Sequence, residues 1–453
     1  MTKRRIGILH IIGLVGISLI VFWAARKQIT SSPSKGDIDT YLHASRLLLK
    51  GENIYGTPNR GGPDFYVYPP LLAALLVPLT VLPLVFVIYL WCALKIGVIV
   101  WMVRALEKSL TGTPFPELSR KEKYIFGFFP ILMTARFILH DLSYGQAHVL
   151  MLGLMVLGLT LALKDDLVRG GVSTGVSIAL KVVSLPFVVW FLVRKEFRAL
   201  FGILLGVSAA LFAPSLIVGV QKNLTYLSFW LNQIILDKPR RSLAWSLPIN
   251  FSLDAQLRRF FSDVVAFTYQ GQAYRLTIFL APPSYLEFAP LLIMAVVAML
   301  ICLYALKYKN RGRLIANWGG VALTFSLIPI FSPVTLEHHF LVLLPANFYV
   351  VYLWHSLKLR DKWFRGLVLA SFVLNVFTAE IFVGNDLRNI FLATGCLVWG
   401  TLLLAASIFR AASCLPKGAA ETFGQRRGRS GVTVHPAERE IEKACAGGFN
   451  EPT

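Results

Sequence analysis

Charged residues are scarce in this chain: Asp, Glu, Lys and Arg make up 15% of its 453 residues, against 56% that are hydrophobic. The mean hydropathy is +0.63. Apolar runs of about 18 residues or more, which is the length that crosses a bilayer as a helix, recur from end to end. Because these runs lack the alternation of strands, the sequence predicts an all-α polytopic membrane protein.

Cysteines and acidic residues are also few. The chain has 5 cysteines, and none falls in a loop predicted to face outward, so no disulfide framework is expected. Lys and Arg number 45 against 24 Asp and Glu, which gives a net charge of +21. In a soluble protein this excess of basic residues would indicate nucleic-acid binding. Here it follows the positive-inside rule, because basic residues collect in loops that stay in the cytoplasm.

The charge pattern predicts ten full spans and one broken hairpin, with both termini cytoplasmic. The first apolar helix is predicted to stay uncleaved, since no clear small-residue cleavage site follows it. A catalytic domain of residues 1–409 contains a first outer loop (26–83) and a long outer loop (221–285), and residues 410–453 form a polar cytoplasmic tail that is expected to be disordered. The predicted spans are 6–25, 84–103, 124–140, 146–163, 200–220, 286–306, 314–331, 340–355, 364–383 and 390–409.

Two apolar segments are not predicted to cross. Residues 69–83 contain four prolines, and because proline disrupts helix interiors, this stretch is predicted to be interfacial or re-entrant. Residues 171–193 have basic residues at both flanks, which favours a hairpin that enters the membrane and returns to the same side. Lys181 and Pro186 lie at its middle, where irregular backbone is tolerated if it lines a protein cavity.

Two carboxylates, Asp37 and Asp39, follow the first span directly. Their D-x-D spacing resembles the metal motif of nucleotide-sugar enzymes, although two acids in a loop are as often merely solvated. A carboxylate beside an apolar slab is partly desolvated, which suits a general base. We therefore predict catalytic roles for both, close to Tyr41 and Tyr68 in the same outer loop.

A second set of polar groups lies where such groups are costly. His338 and His339 follow an outward span, and a bound anion such as a lipid phosphate fits at least one of them better than a metal, because adjacent residues point to different sides of a helix. A histidine that caps a helix end is the alternative. Lys181, in the middle of the hairpin, is expected to pair with an anion in a cavity. Arg136 is a further candidate, unless it pairs with Asp141.

An ordered set of short motifs resembles glycosyltransferase family 87 over roughly residues 36–345. Each motif is loose, but the ordered set is fairly specific, and the family's loop aspartate falls on Asp37. Asp39 and the polar tail depart from the pattern. The motifs are D-x-x-x-Y (37–41), G-x-x-x-Y (51–55), Y-P-P-L (68–71), P-x-x-x-L-P (78–83), G-Q (145–146), L-K (180–181), N-x-S-L (250–253) and S-P-x-x-x-x-H-H (332–339).

The resemblance implies a fold of the GT-C class in a bacterial plasma (inner) membrane, like that of the polyprenyl-phosphate-mannose-dependent mannosyltransferases of cell-envelope glycolipid biosynthesis. It implies inverting transfer of a sugar from a polyprenyl phosphate to a lipid- or glycan-linked acceptor hydroxyl at the outer face. No metal ion or other cofactor is expected, because a monophosphate donor needs none. On this basis the donor phosphate is expected to contact Lys181, His338, His339 and Arg136, and the sugar or acceptor to contact Tyr41, Tyr68, Gln146 and Asn250.

Two other classes of protein remain open. A lipid-linked sugar flippase or transporter would hold a phosphate with the same basic groups and without chemistry, although an inverted-repeat transporter is expected to show an internal repeat and none is evident. An O-antigen-type polymerase also has a large outer loop with basic residues. The acid-bearing first loop with its Y-P-P-L segment favours the transferase over both.

Overall fold

The computed structural model describes residues 2–30, 36–57, 65–113, 115–236, 249–312 and 314–415. Within these ranges the chain is mostly helical, as predicted. The helices are α1 (Thr2–Thr30), α2 (Asp37–Leu49), α3 (Pro70–Leu76), α4 (Leu84–Thr111), α5 (Arg120–Tyr144), α6 (His148–Ala162), α7 (Leu167–Leu180), α8 (Pro186–Val193), α9 (Phe197–Phe212), α10 (Ser215–Val218), α11 (Val220–Phe229), α12 (Leu253–Phe261), α13 (Pro283–Lys307), α14 (Gly320–Phe331), α15 (Leu344–His355), α16 (Lys362–Phe372), α17 (Glu380–Ala393) and α18 (Cys396–Cys414).

The long loop also contains a small antiparallel hairpin, which the sequence did not predict. Strands β1 (Phe267–Tyr269) and β2 (Gln272–Tyr274) pair so that Phe267 lies opposite Tyr274. Gln270 and Gly271 join them with positive φ at both positions, the geometry of a tight two-residue turn.

Six helical segments in the described ranges are long and apolar enough to cross a membrane, or seven if one bent pair counts as a span. The structure therefore confirms a multi-pass helical protein but not ten full spans. The predicted span 146–163 contains the 15-residue α6. The predicted span 340–355 begins in a 3-10 helix, Glu337–Leu343, and continues as the 12-residue α15. The six segments are Leu84–Thr111, Arg120–Tyr144, Phe197–Val218, Pro283–Lys307, Leu314–Phe331 and Cys396–Cys414.

The predicted span 364–383 is bent by 90° between Lys362–Phe377 and Glu380–Ala393. A π-helical turn, Val373–Phe377, precedes the bend. The hydroxyl of Thr378 donates to the carbonyl of Leu374, and a side chain that bonds to the backbone in this way competes with the helix. The straight span expected from hydropathy is therefore replaced by a helix and a cross-lying α17.

The segment around Lys181 runs out and back, as predicted for the hairpin. α7 ends at Leu180, and Lys181 has an extended backbone, with φ −157° and ψ 123°. Pro186 then starts α8, a position where its missing N–H costs nothing. Both outer ends of the pair, at Leu167 and Arg194, line one cavity together with the last residues of α6. Lys181 instead contacts the first residue of α6, so the tip of the hairpin lies at that helix's opposite end.

Glycines hold this hairpin against α9. A Cβ added at Gly171 would overlap the carbonyl of Ala199, and one added at Gly175 would overlap the carbonyl of Ile203. Close backbone approach through small residues is how helices pack firmly in membranes. The position of Lys181 is thus set by a tightly packed helix pair.

The two predicted outer loops lie on the same side of the helices. The hydroxyl of Tyr226 donates to the carbonyl of Glu52, and the rings of Tyr55 and Phe229 stack with centroids 5.1 Å apart. At the other end of the bundle, Arg410 of α18 pairs with Asp361 at 2.7 Å. α18 continues to Cys414, five residues past the predicted end of the last span, and this ion pair fixes the extra turn. Most of the predicted tail, residues 416–453, lies outside the described residues.

Candidate functional site

Asp37 and Asp39 lie in the first turn of a helix, whereas the sequence analysis predicted only an outer loop there. In α2, the residues Ile38, Tyr41 and Leu42 recur at helical spacing and are buried. Both carboxylates lie in the first turn, where the positive end of the helix dipole stabilises negative charge. Asp39 is fully buried and Asp37 is half-buried.

Gly36 sets the entry into this helix. Its φ is +73°, a conformation that glycine adopts without strain, and a Cβ there would lie 3.0 Å from the carbonyl oxygen of Tyr144. The start of α2 is therefore pressed against the turn that joins α5 to α6. This contact brings the two carboxylates to that turn.

Tyr41, Tyr68 and Gln146 form one polar group at the same place. The two hydroxyls lie 3.1 Å apart, and Gln146 Oε1 lies 3.3 Å from the first and 3.1 Å from the second. Burial raises the pKa of both phenols, and the nearby Asp37 carboxylate raises it further. Both tyrosines therefore stay protonated near neutral pH and act as hydrogen-bond donors rather than bases.

Lys181 lies at the centre of a cluster of histidines. Its Nζ is 2.6 Å from Nε2 of His148 and 2.8 Å from Nε2 of His339. The ring centroid of His338 lies 4.5 Å from that of His148 and 4.7 Å from that of His339. The predicted phosphate-binding residues Lys181, His338 and His339 thus meet in space, although 157 or more positions separate the lysine from the histidine pair.

The acidic and basic groups share this site. The Asp37 carboxylate interacts electrostatically with Lys181 and with Tyr68, whose ring face lies 5.3 Å from Nζ. A small cavity beside them is lined by Tyr68, Leu72, Ala147, His148, Met151, Leu180 and Lys181. A larger cavity lies at the far end of α6 and contains none of the predicted site residues.

Arg136 forms an ion pair, but not with Asp141. Its Nε lies 2.6 Å from Glu337, and its Nη1 donates to Thr378 at 2.8 Å. Glu337 also accepts from Arg388 of α17 at 2.7 Å. Arg136 therefore holds the segment that carries His338 and His339. The Glu337 carboxylate competes with a phosphate for the Arg136 guanidinium, which was predicted to contact the phosphate.

Asn250 has a similar positioning role. Its Oδ1 accepts the N–H of Thr335 at 2.9 Å, and its Nδ2 donates to the carbonyl of Pro333 at 3.2 Å. Only 1% of the residue is exposed. These contacts join the long loop to the turn before the histidine pair. Asn250 therefore contacts the segment that precedes His338 and is not itself part of the histidine cluster.

Sequence reasoning missed two residues, Lys95 and His148. Lys95 is fully buried, pairs with Asp141 at 2.9 Å and donates to the carbonyl of Gln146 at 3.2 Å, so it fixes the α5–α6 turn. His148 follows Gln146 by two positions and faces Lys181. An ionisable residue within an apolar span was the available signal for both.

The comparison with known proteins gives the family of the chain. A sequence model of glycosyltransferase family 87 matches residues 66–333, which is more than half of the chain. The chain belongs to glycosyltransferase family 87. The matched range of this family 87 protein includes Tyr68, Gln146 and Lys181. Asp37 precedes the range, and His338 and His339 follow it. No curated protein matches the chain.

Proposed function

We propose that this family 87 glycosyltransferase moves a hexose, mannose by the family resemblance, from a polyprenyl phosphate to a hydroxyl of a lipid- or glycan-linked acceptor. The transfer takes place at the outer face of the membrane and inverts the anomeric centre. The observation that supports it most is that Asp37 and Lys181 interact electrostatically around the same tyrosine, Tyr68, because a base and a cation for the phosphate are then available in one site.

In this mechanism the acceptor hydroxyl attacks the anomeric carbon from the face opposite the phosphate. Asp37 takes the hydroxyl proton, and the anomeric C–O bond breaks with its electron pair on the phosphate oxygen. Lys181, His338 and His339 stabilise the charge that develops there. One carboxylate is enough, since attack is direct and no glycosyl-enzyme forms.

The other predicted residues support these steps. Tyr41, Tyr68 and Gln146 offer hydroxyl and amide groups for the hydroxyls of a sugar. Asp39, two positions from Asp37 and buried, supports the base or contacts the sugar. Arg136 acts on the phosphate through the segment Glu337–Leu343 that it holds.

The test is a donor panel. Purified protein in lipid nanodiscs is incubated with radiolabelled polyprenyl-phosphate sugars and membrane lipid as acceptor, and the product linkage is determined by NMR. We expect one donor to give a product with inverted anomeric configuration. Movement of labelled lipid across the membrane of proteoliposomes, without any new glycosidic bond, would support the flippase instead. A product with retained anomeric configuration would contradict direct attack.

A further inference from the structure

One hydrogen bond favours one of the two tautomers of His339. The backbone N–H of Leu336 donates to Nδ1 of this ring at 3.1 Å, so Nδ1 presents a lone pair. A neutral imidazole carries its proton on a single nitrogen, which here is Nε2. Nε2 therefore presents an N–H to Nζ of Lys181, 2.8 Å away.

This N–H determines which form of Lys181 completes the contact. An ammonium group has three donors and no lone pair, so it cannot accept the Nε2–H of His339. A neutral amine accepts it and donates its own N–H to Nε2 of His148, 2.6 Å away. A proton added to Lys181 breaks the first of these bonds, and both groups then present donors that require an anionic oxygen.

His338 gives an independent indication of a ligand beside these nitrogens. The residue is 2% exposed, and neither ring nitrogen has a hydrogen-bond partner within the part of the chain that the structure describes. A buried polar group without a partner loses its hydrogen bonds to water without replacing them, which is unfavourable. An anionic oxygen among the three rings would offset this cost.

Groups from several elements face Lys181, and their effects oppose one another. The carboxylates of Asp37 and Asp141 stabilise the ammonium form, although Asp141 is already paired with Lys95 at 2.9 Å. Burial and the His339 N–H favour the amine. A balance of this kind allows a bound anion to change the protonation of the site. The facing titratable groups are Asp37, Tyr68, Asp141, His148, His338 and His339.

We propose that His148, Lys181 and His339 form a phosphate site that takes up one proton when the donor binds; the identity of the anion rests on the proposed function. The donor phosphodiester carries one negative charge. When its anomeric C–O bond breaks, the electron pair stays on the phosphate oxygen and the product carries two. The proton on Lys181 offsets the second charge, while the acceptor proton leaves on Asp37.

The experiment measures proton uptake without turnover. Isothermal titration of the nanodisc protein with farnesyl methyl phosphodiester, whose single charge does not change near neutral pH, is repeated at pH 8 in buffers of different ionisation enthalpy. We expect about one proton taken up per probe bound, and an affinity that falls up to about tenfold per pH unit as the pH rises.

Lys181→Arg and His339→Gln serve as independent variants. Arginine stays charged, so the first variant should bind the probe without proton uptake. In His339→Gln, the glutamine oxygen can accept a hydrogen bond from the Lys181 ammonium. Lys181 is then charged before the probe binds, so this variant should also lose the proton uptake. The exposed Lys164 lies at the opposite end of α6, and Lys164→Arg should keep both binding and uptake.

Each remaining outcome contradicts part of the proposal. Binding without uptake in the unaltered protein, or uptake that persists in Lys181→Arg, would overturn the proton chain and leave the proposed function standing. No saturable binding of the probe would overturn the phosphate site, while the donor panel tests the proposed function separately. One ring nitrogen from each of His148, His338 and His339 lies within 4.8 Å of the other two, so zinc binding that displaces the probe and is lost in His338→Ala would assign the cluster to a metal instead.

Discussion

Lys95 and Asp141 form an ion pair at 2.9 Å with neither side chain exposed. The same ammonium also donates to the carbonyls of Asp141 and Gln146, at 2.9 and 3.2 Å. Trp91, one turn earlier on α4, donates to the carbonyl of Gly145 at 2.9 Å. α4 thereby fixes the turn from which Gln146 and His148 enter the site.

Loss of one partner of this pair should destabilise the protein strongly. Lys95→Met leaves the Asp141 carboxylate buried and uncompensated, a change that typically costs about 3–5 kcal/mol. Denaturant unfolding in micelles checks this, with the exposed Lys108→Met on the same helix as the matched control. The double variant Lys95→Met with Asp141→Leu should recover much of the loss. Equal destabilisation in Lys95→Met and in the Lys108→Met control would mean that the pair itself matters little.

Asp37→Asn should lower turnover by about 10²–10⁴, because the amide keeps the size of the side chain but cannot take the acceptor proton. Donor binding should persist. Asp39→Asn should cost less, and Asp165→Asn, in an exposed turn far from the site, should cost nothing. The measurement is single-turnover sugar transfer. An inactive Asp39→Asn beside a nearly normal Asp37→Asn would move the base to Asp39, and normal turnover in both would favour the flippase.

Lys181→Gln should weaken donor binding more than it harms folding. A hydrogen bond to a charged group is worth about 1.5–3 kcal/mol, so the apparent donor affinity should fall by roughly 10- to 100-fold. Donor titration against the unaltered protein and Lys164→Gln checks this, with thermal unfolding of all three as the test of folding. A stable variant with unchanged donor affinity and turnover would make Lys181 a structural residue.

The ion pair of Asp361 with Arg410 should make stability depend on pH in the acid range. The Arg410 hydrogen bonds hold the pKa of the Asp361 carboxyl below its ordinary value, and the N–H of Phe364 lowers it further. A depressed pKa contributes stability above the unfolded value of about 3.9 and loses it as the pH falls through the folded value. The contribution is about 1 kcal/mol, because Arg410 is 40% exposed to solvent.

Asp361→Asn isolates this contribution, since asparagine caps a helix as well as aspartate does. The stability difference between the two proteins should stay constant from pH 7 to about 5 and shrink below about 4. Unfolding midpoints across this range provide the measurement. A difference that grows as the pH falls would have the wrong sign for a depressed pKa and would contradict the assignment.

Labelling can decide the orientation in the membrane. We expect a cysteine at Thr57 to react with an impermeant reagent from outside and one at Thr113 to react only after permeabilisation, because the loop after Thr113 is basic. The background carries serine at the native cysteines. Equal labelling of both positions from outside would contradict the predicted topology.

The sequence by itself determined the class of this protein and several local features of its site. Hydropathy and loop charge indicate a multi-pass helical protein, since these properties depend only on neighbouring residues. The break at Lys181 was readable because a lysine and a proline interrupt an apolar run. The ordered motifs indicated family 87, which the family match confirms.

Only the tertiary structure decided which of the polar residues meet. Arg136 pairs with Glu337, 201 positions away, and Lys181 faces His339, 158 positions away. Hydropathy carries no information about such pairs, because it averages over one segment at a time. Ten spans were predicted for the same reason, since hydropathy treats an apolar run as one straight helix. The bend near Thr378 involves a local hydrogen bond from its hydroxyl to Leu374 and a second hydrogen bond from Arg136 of α5, which forms only when distant helices come together.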